Sequence, residues 1–469
     1  MAALQNSRNR GFDWIMLTVY FSLVAIGWAM LYSATYIPEQ PFAFLNISTT
    51  IGSQTVWIVI SLLAFVSVLT LDWKFWNTLA FPVYAASLFM LVLVLIFGTE
   101  INGSKSWFSF GVFSFQPSEW AKLGTALALS GYLSFLKINL SDRKTLITAV
   151  GIIVLPALLI LLQPDMGSAL VFLSFFILFY RKGLSPVYFI IVFSFAGAFI
   201  LSLIFSPWNV AAGILTAAAC ILLYYYFNSM QGIILSALLT GLQIFLMIQD
   251  DEWVILLPSI AVLLVMGVLH ILKKNFSLVG LTAPVVMTFI VFSFGSSYVF
   301  EKALKPHQQD RINVWLRPEL CDPKGSLYNI IQSKLAIGSG GLLGKGYLKG
   351  EMTKLNYVPA QTTDFIFTSI GEEQGFVGSL GVIALYTIFL LRGVVIAERA
   401  KLEFIRNYAY CIVGIFLVHF TINIGMTLGL MPVIGIPLPF LSKGGSSLLA
   451  FSIMTAILIK MDMARFRSN

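Results

Sequence analysis

The stretch Val358–Gly378, VPAQTTDFIFTSIGEEQGFVG, sets a lone Asp364 at the point where a long polar segment gives way to an apolar helix. Glu372 and Glu373 follow two turns on. If that helix crosses a bilayer, Asp364 lies at its surface and the glutamates roughly 12–14 Å deeper, at about 1.5 Å per residue. Ionisable groups held at such depth are costly, and a functional role is the first reading of them. The alternative is that these carboxylates only join helices through buried ion pairs.

Outward from this stretch the whole chain has the same apolar character. Its 469 residues are 58% hydrophobic and 11% charged, where a soluble protein carries about 25% charge. The expected fold class is all-α, a polytopic helical bundle in an inner membrane. Windows of about 20 apolar residues fall near 14–34, 54–71, 78–98, 118–136, 146–162, 166–180, 186–205, 209–227, 231–248, 254–272, 279–299, 365–391, 407–430 and 446–461. They give about fourteen transmembrane helices. The first window follows a basic tail (Arg8, Arg10) and is too long for a signal-peptide core, so it reads as a retained helix.

Loop charges orient the bundle. Arg8 and Arg10; Lys74; Lys137, Arg143 and Lys144; Arg181 and Lys182; Lys273 and Lys274; Arg392, Arg399, Lys401 and Arg406; and Lys460, Arg465 and Arg467 fall on one side. The short loops opposite hold only Lys105 and Lys443, and one of them reads QDDEW. Positive loops stay in the cytoplasm, so both termini are expected there. The chain reads as one membrane domain, 1–469, with a large extracytoplasmic loop at 300–363. Within it, 186–299 is poor in polar residues and reads as scaffold.

The net charge of +8 is spread over loops rather than gathered in a patch, so nucleic acid is not an expected partner. Cys220, Cys321 and Cys411 suggest no disulfide framework. His270, His307 and His419 lack ligand spacing, so metal ligands are not legible.

Four further segments could carry chemistry. In 102–123, NGSKSWFSFGVFSFQPSEWAKL, Pro117 and Glu119 open a helix. Ser118, Glu119, Lys122 and Thr125 then share one stripe, and Glu119 can pair with Lys122. The stripe either lines a cavity or forms a structural ion pair; Trp107 is either a platform for a sugar or lipid head or an interfacial anchor. In QPDMGSA, 163–169, Asp165 reads as a helix cap, and the small residues allow close helix approach. The segment 300–363 combines basic residues, Arg311 among them, with the glycine run IGSGGLLGKG, which lacks the ending of a nucleotide-binding loop. A cationic loop over a membrane would suit an anionic lipid headgroup. In 423–448, Pro432, Gly435, Pro437 and Pro439 cannot continue a helix, so a broken or re-entrant element beside Asp364 is expected.

Together these motifs resemble the SEDS family (shape, elongation, division and sporulation). The resemblance rests on NGSKSWFSFG with QPSEWAKL, QPDMGSA, GSLYNIIQSKLAIGSGGLLGKG, TTDFIFTSIGEEQGFVG and the pattern N-x5-G-x-x-P-V-x-G-I-P-L-P-F-L-S-x-G-G-S-S, in order over roughly 14–180 and 311–460. Two departures are visible. Pro359–Thr363 lacks the Glu and His that usually precede the aspartate, and Lys443 stands where the family usually has Tyr.

The resemblance implies a ten-helix core, with about four additional helices within 186–299, and an active site on the extracytoplasmic face. It implies a peptidoglycan glycosyltransferase that polymerises lipid II, an undecaprenyl-pyrophosphate-linked disaccharide-peptide, for cell elongation and shape. Asp364 would be the catalytic base. Trp107, Lys105, Glu119, Lys122, Arg311, Ser442, Gly444 and Gly445 would contact substrate, with Asp165, Glu372 and Glu373 in support. A divalent cation (Mg or Mn) is implied and no organic cofactor. The implied partners are a class B penicillin-binding protein transpeptidase, the elongation machinery and membrane lipid. The alternatives are a lipid II flippase, another polyprenyl-linked sugar ligase, or a division-specific member of the same family.

Overall fold

The computed structural model describes residues 12–36, 43–101, 103–110, 113–135, 140, 142–227, 229–249, 254–272, 276–304, 306–322, 325 and 327–464. Arg8, Arg10, Lys137, Lys273, Lys274, Lys305, Lys324, Arg465, Arg467 and residues 250–253 of the QDDEW turn lie outside them.

All fourteen apolar windows carry helix. Among the described residues, eleven helices are long and apolar enough to cross a bilayer, which makes the chain a multi-pass helical membrane protein. The other three windows differ for readable reasons. Pro117–Phe135 carries the buried Glu119 and Lys122, Met166–Arg181 is short and interrupted by a 3-10 turn, and 254–272 also begins in one.

The chain divides into two compact units, residues 1–184 with 322–469, and residues 185–321. The first unit runs through α1 (Trp14–Ala34), α2 (Thr50–Thr70), α3 (Trp73–Thr78), α4 (Ala80–Phe97), α5 (Pro117–Phe135), α6 (Arg143–Leu161), α7 (Met166–Val171) and α8 (Phe176–Arg181). The second holds α9 (Pro186–Ile204), α10 (Pro207–Tyr226), α11 (Ser229–Gln249), α12 (Leu257–Leu272), α13 (Phe276–Lys302) and α14 (Pro306–Leu316). The first then resumes with α15 (Tyr328–Ser339), α16 (Glu351–Lys354), α17 (Ile366–Arg399), α18 (Glu403–Thr427) and α19 (Gly445–Met463).

In the first unit α18 and α19 are buried nearly all round, and α2, α5 and α17 pack on them. They are the axis of the bundle, whereas α4 and α6 expose most of their apolar surface, as lipid-facing helices do. One end of this unit is tied by ions. Asp13 caps α1 by accepting from Met16 N (2.9 Å) and receives Arg392 at 2.6 Å and Arg399 at 2.7 Å; Arg399 also reaches Asp462. These four groups join α1, α17 and α19. Burial pushes the Asp13 carboxyl up, but the hydrogen bonds from Arg392 and Met16 and the charges of Arg392 and Arg399 outweigh it and hold it below its usual range.

Two expectations change. The fold is not purely helical: β1 (Thr99–Ile101), β2 (Ser104–Phe110) and β3 (Phe113–Phe115) form a small antiparallel sheet in the order β1-β2-β3. The sequence SKSWFSF is polar and aromatic without a helical period, and Gly103 takes φ +80° in the turn. The expectation of one unbroken helix over 365–391 also changes. Gly375 breaks α17 with φ +66° and ψ −161°, and Glu373 reaches Ser33 in the last turn of α1. Glu373 thus meets the end of α1, and the break lies two residues beyond it.

The second unit is held by sparse polar contacts between apolar helices. Ser202 on α9 meets Ser293 on α13 at 2.8 Å. Thr216 on α10 meets Ser259 on α12 at 2.7 Å, and Ser259 donates to Gln243 on α11. Each hydroxyl finds a partner because a buried polar group without one is costly.

Candidate active site

The site is built around the irregular segment between α18 and α19. Its prolines exclude helix, so its polar backbone atoms must find partners elsewhere. Asn423 Nδ2 donates to Ile436 O (2.7 Å), His419 Nδ1 lies 3.0 Å from Pro437 O, and the Tyr386 hydroxyl donates to Pro439 O. Leu438 N donates to Ser442 Oγ (2.8 Å), Lys443 N to Thr362 O (2.8 Å), and Gly444 N to Gln54 Oε1 (3.2 Å). From Ile436 to Ser442 the segment is thus largely buried in protein, the condition under which non-helical backbone survives at membrane depth.

Asp364 is fixed by the same contacts. Asn423 Nδ2, besides Ile436 O, donates to the Asp364 carbonyl at 2.9 Å. Lys443 N holds Thr362, two residues upstream. Gly435 faces the carboxylate with φ +74°, and a Cβ there would lie 3.3 Å from Asp364 Oδ2. Asn423 thus anchors the Asp364 backbone, and the residue is half-buried.

One turn before Asn423 on α18, His419 Nε2 lies 2.9 Å from Lys122 Nζ. Lys122 also pairs with Glu119 at 2.8 Å, and both are buried. Lys122, Glu119 and His419 therefore form one cluster beneath Pro437. Glu119 Oε2 has no hydrogen-bond partner among the described residues. Asp165 caps α7 by accepting from Ser168 N (3.0 Å) and also accepts from Gln116 Nε2 (3.0 Å). Gln116 N in turn donates to Ser446 Oγ at the start of α19, so the segment's far end joins α5 and α7.

The other sequence candidates have structural contacts of their own. Lys105 Nζ donates to Ile96 O at 2.9 Å, near the C-terminal end of α4, where a cation suits the helix dipole. Trp107 is half-buried on β2, paired with Thr99. Ser442 closes the turn at Leu438, and a Cβ at Gly445 would meet the Trp57 ring at 2.1 Å. Arg311 is exposed on α14, in the second unit.

Glu372 and Glu373 form a separate buried knot. Glu372 accepts from Lys345 Nζ (2.9 Å), Met352 N (3.0 Å), Thr353 N (2.8 Å) and Thr353 Oγ1 (2.7 Å). The glycine run lies against the break in α17: Lys345 N and Gly346 N donate to Glu372 O and Glu373 O, while Phe376 N donates to Gly341 O. A Cβ at Gly344 would fall 2.1 Å from Glu373 O. These glycines serve close backbone approach.

Sequence reasoning assigned His419, Asn423 and Gln116 no role at this site. Their signal was a histidine and an asparagine one turn apart in an otherwise apolar helix, and a glutamine just before a helix-opening proline.

A family model described as cell cycle protein (FtsW, RodA, SpoVE) matches residues 13–213 and 225–467. The peptidoglycan glycosyltransferase RodA of Treponema pallidum is 33% identical, covering 96% of this chain and 97% of its own. The peptidoglycan glycosyltransferase MrdB of Escherichia coli K12 is 30% identical, covering 78% and 73%. Among solved structures, a chain from work on a peptidoglycan synthase complex that coordinates polymerization and crosslinking aligns with TM-score 0.63 and 26% identity, covering 97% and 99%. RodA of Thermus thermophilus shares the fold, with TM-score 0.56, 24% identity and 97% of each chain covered.

Proposed function

The chain belongs to the family of FtsW, RodA and SpoVE cell cycle proteins, and from that premise we infer how its residues act. It is a peptidoglycan glycosyltransferase that polymerises lipid II into glycan strands. The observation that carries the assignment of its chemistry is Asp364, held by its backbone at the rim of the irregular segment with a half-buried carboxylate.

In the proposed reaction the Asp364 carboxylate takes the proton from the acceptor sugar hydroxyl as that oxygen attacks the donor's anomeric carbon. The bond from that carbon to the pyrophosphate breaks, the lipid pyrophosphate leaves with the electron pair, and the configuration inverts. A base within hydrogen-bond reach contributes about 10²–10⁴-fold. The leaving group needs charge compensation more than protonation. In this reading Lys122, buried against Glu119 and His419, supplies positive field beneath Pro437 rather than a direct contact. Lys105, Trp107, Ser442, Gly444 and Gly445 belong to the proposed substrate path, the first and the last three acting by shaping backbone; Arg311, read from the sequence, is a proposed contact for the lipid pyrophosphate.

A divalent cation enters this proposal only as a companion of the substrate pyrophosphate. Among the described residues no three His, Cys, Asp or Glu side chains gather as a metal site, and no step of the proposed reaction runs through one.

We place the fourteen helices across the cytoplasmic membrane, with both termini inside and Asp364 at the extracytoplasmic face. The alternation of loop charge supports that orientation. A class B penicillin-binding protein is the proposed crosslinking partner, supported by the likeness to a chain of a synthase complex.

The test is polymer formation from labelled lipid II by the purified protein with its partner. Asp364→Asn should lower the rate by about 10²–10⁴-fold at an unchanged melting temperature. Near-normal polymer from that variant removes Asp364 from the mechanism. Movement of lipid II between leaflets with no polymer from the wild type would favour a transporter.

A further inference from the structure

The second unit contains a cavity of about 1130 Å³ that the proposed reaction does not use. Its wall is almost wholly apolar: Gly197, Ala198 and Leu201 on α9; Gly213 and Ala217 on α10; and Phe289 on α13 contribute to it. It exceeds the roughly 300–1,000 Å³ of ordinary ligand pockets. The glycines explain how three helices can pack and still leave it open. A Cβ built at Gly197 or Gly213 meets nothing within 4 Å, so neither glycine serves close helix contact. Their missing side chains enlarge the space instead.

Two polar features mark one end. Asn209, in the first turn of α10, lines the cavity, and its Oδ1 is buried with no hydrogen-bond partner among the described residues. An acceptor left in that state is costly unless a ligand supplies a donor. Arg317 donates from Nη2 to Ile204 O at 3.1 Å, beside the cavity-lining Phe205. A cation therefore stands at the end where Asn209 looks for a donor. The wall between them and the far end, at Ile221, is hydrocarbon in character.

We propose that this cavity is a binding site for one membrane phospholipid, its acyl chain along α9, α10 and α13 and its headgroup at Asn209 and Arg317. Charge complementarity selects the phosphate, and the unpaired Asn209 Oδ1 selects a headgroup that carries an N–H or O–H donor. The helices that build the wall are themselves apolar enough to sit in a bilayer, which puts such a lipid within reach. This site is independent of the Asp364 chemistry.

The experiment uses the full chain in detergent and native mass spectrometry with three added lipids: phosphatidylglycerol, phosphatidylethanolamine, and phosphatidylcholine, whose headgroup has no donor. The wild type should retain one phosphatidylglycerol or phosphatidylethanolamine and hold phosphatidylcholine on the order of tenfold more weakly, the factor of one lost good contact. The double variant Gly197→Leu/Gly213→Leu fills open space on two helices, so its melting temperature should hold while retained lipid is lost. Asn209→Ala should remove the preference for donor headgroups yet keep a bound lipid. Equal retention by the filled variant, or no retained lipid in the wild type, overturns the site. A headgroup preference that survives Asn209→Ala overturns the polar half of the proposal. Should the filled variant melt lower, the single variant Gly213→Leu repeats the lipid measurement in a chain altered on one helix only.

Discussion

Asp364 and Glu372 lie eight positions apart in the same stretch, yet the fold treats their carboxylates in opposite ways. Glu372 is wholly buried and accepts from a lysine, two backbone N–H groups and a hydroxyl. Asp364 is held through its carbonyl, and its side chain is half-buried. A carboxylate saturated with donors is fixed in its ionised, unreactive role. One that is only half-buried, on an anchored backbone, is the better candidate to accept a substrate proton. The difference lies in how deeply the fold buries each carboxylate, not in residue type.

The largest test of this contrast is the pair of neutral variants. Asp364→Asn should remove about 3–5 kcal/mol of transition-state stabilisation, the equivalent of 10²–10⁴ in rate, and leave melting unchanged. Glu372→Ala should do the reverse. It strands the Lys345 ammonium and three donors around residues 352–353, a class of loss that costs about 3 kcal/mol or more. Thermal melting in detergent together with polymer yield per folded molecule separates the two. If Glu372→Ala melts normally and loses activity, the two carboxylates share one role and the contrast fails.

The opposite end of the first unit sharpens the comparison, because its carboxylate is structural and titrates predictably. Asp13 has its pKa held low in the fold by Arg392, Met16 and Arg399 against the opposing effect of burial. Its stabilisation is therefore present above the ordinary aspartate value of about 3.9 and is lost as pH falls through the lowered folded value. Asp13→Asn should melt lower than wild type at neutral pH by an amount corresponding to about 1–3 kcal/mol. The two curves should approach each other only under acid conditions below that ordinary value. A gap that persists unchanged through that acid range would show that the ion cluster contributes nothing through charge.

Much of this arrangement could be read from the chain, and the unread part has physical causes. Hydrophobic windows located the helices because each must satisfy its own backbone and face lipid over a set length. Asp364 stood out because an acid at the start of an apolar run is costly. The break in α17 was not legible because nothing local to EEQGF announces that Gly375 will take a positive φ. The break is imposed by the glycine run of 338–346, distant in sequence. His419 and Asn423 were missed for the same reason: their work is to hold carbonyls of a segment whose path only the tertiary fold defines. The sheet at 99–115 was not read because its strands are short, three to seven residues.

The smallest expected effect concerns the second unit, where polar side chains meet in pairs rather than converging on a site. Ser202 and Ser293 are both buried and 2.8 Å apart, and Ser202 also donates to Ala198 O within its own helix. Removal of either hydroxyl leaves the other with fewer partners, but a serine inside a helix can turn back to the carbonyl four residues earlier, as Ser202 does. The coupling between Ser202→Ala and Ser293→Ala, measured as a double-mutant cycle on unfolding in detergent, should therefore be about 0.6 kcal/mol, the average for hydrogen bonds between membrane helices. Polymer yield should not change in any of the three variants. A coupling of several kcal/mol, or a loss of polymer with melting intact, would give these helices a share in the chemistry proposed for the surroundings of Asp364.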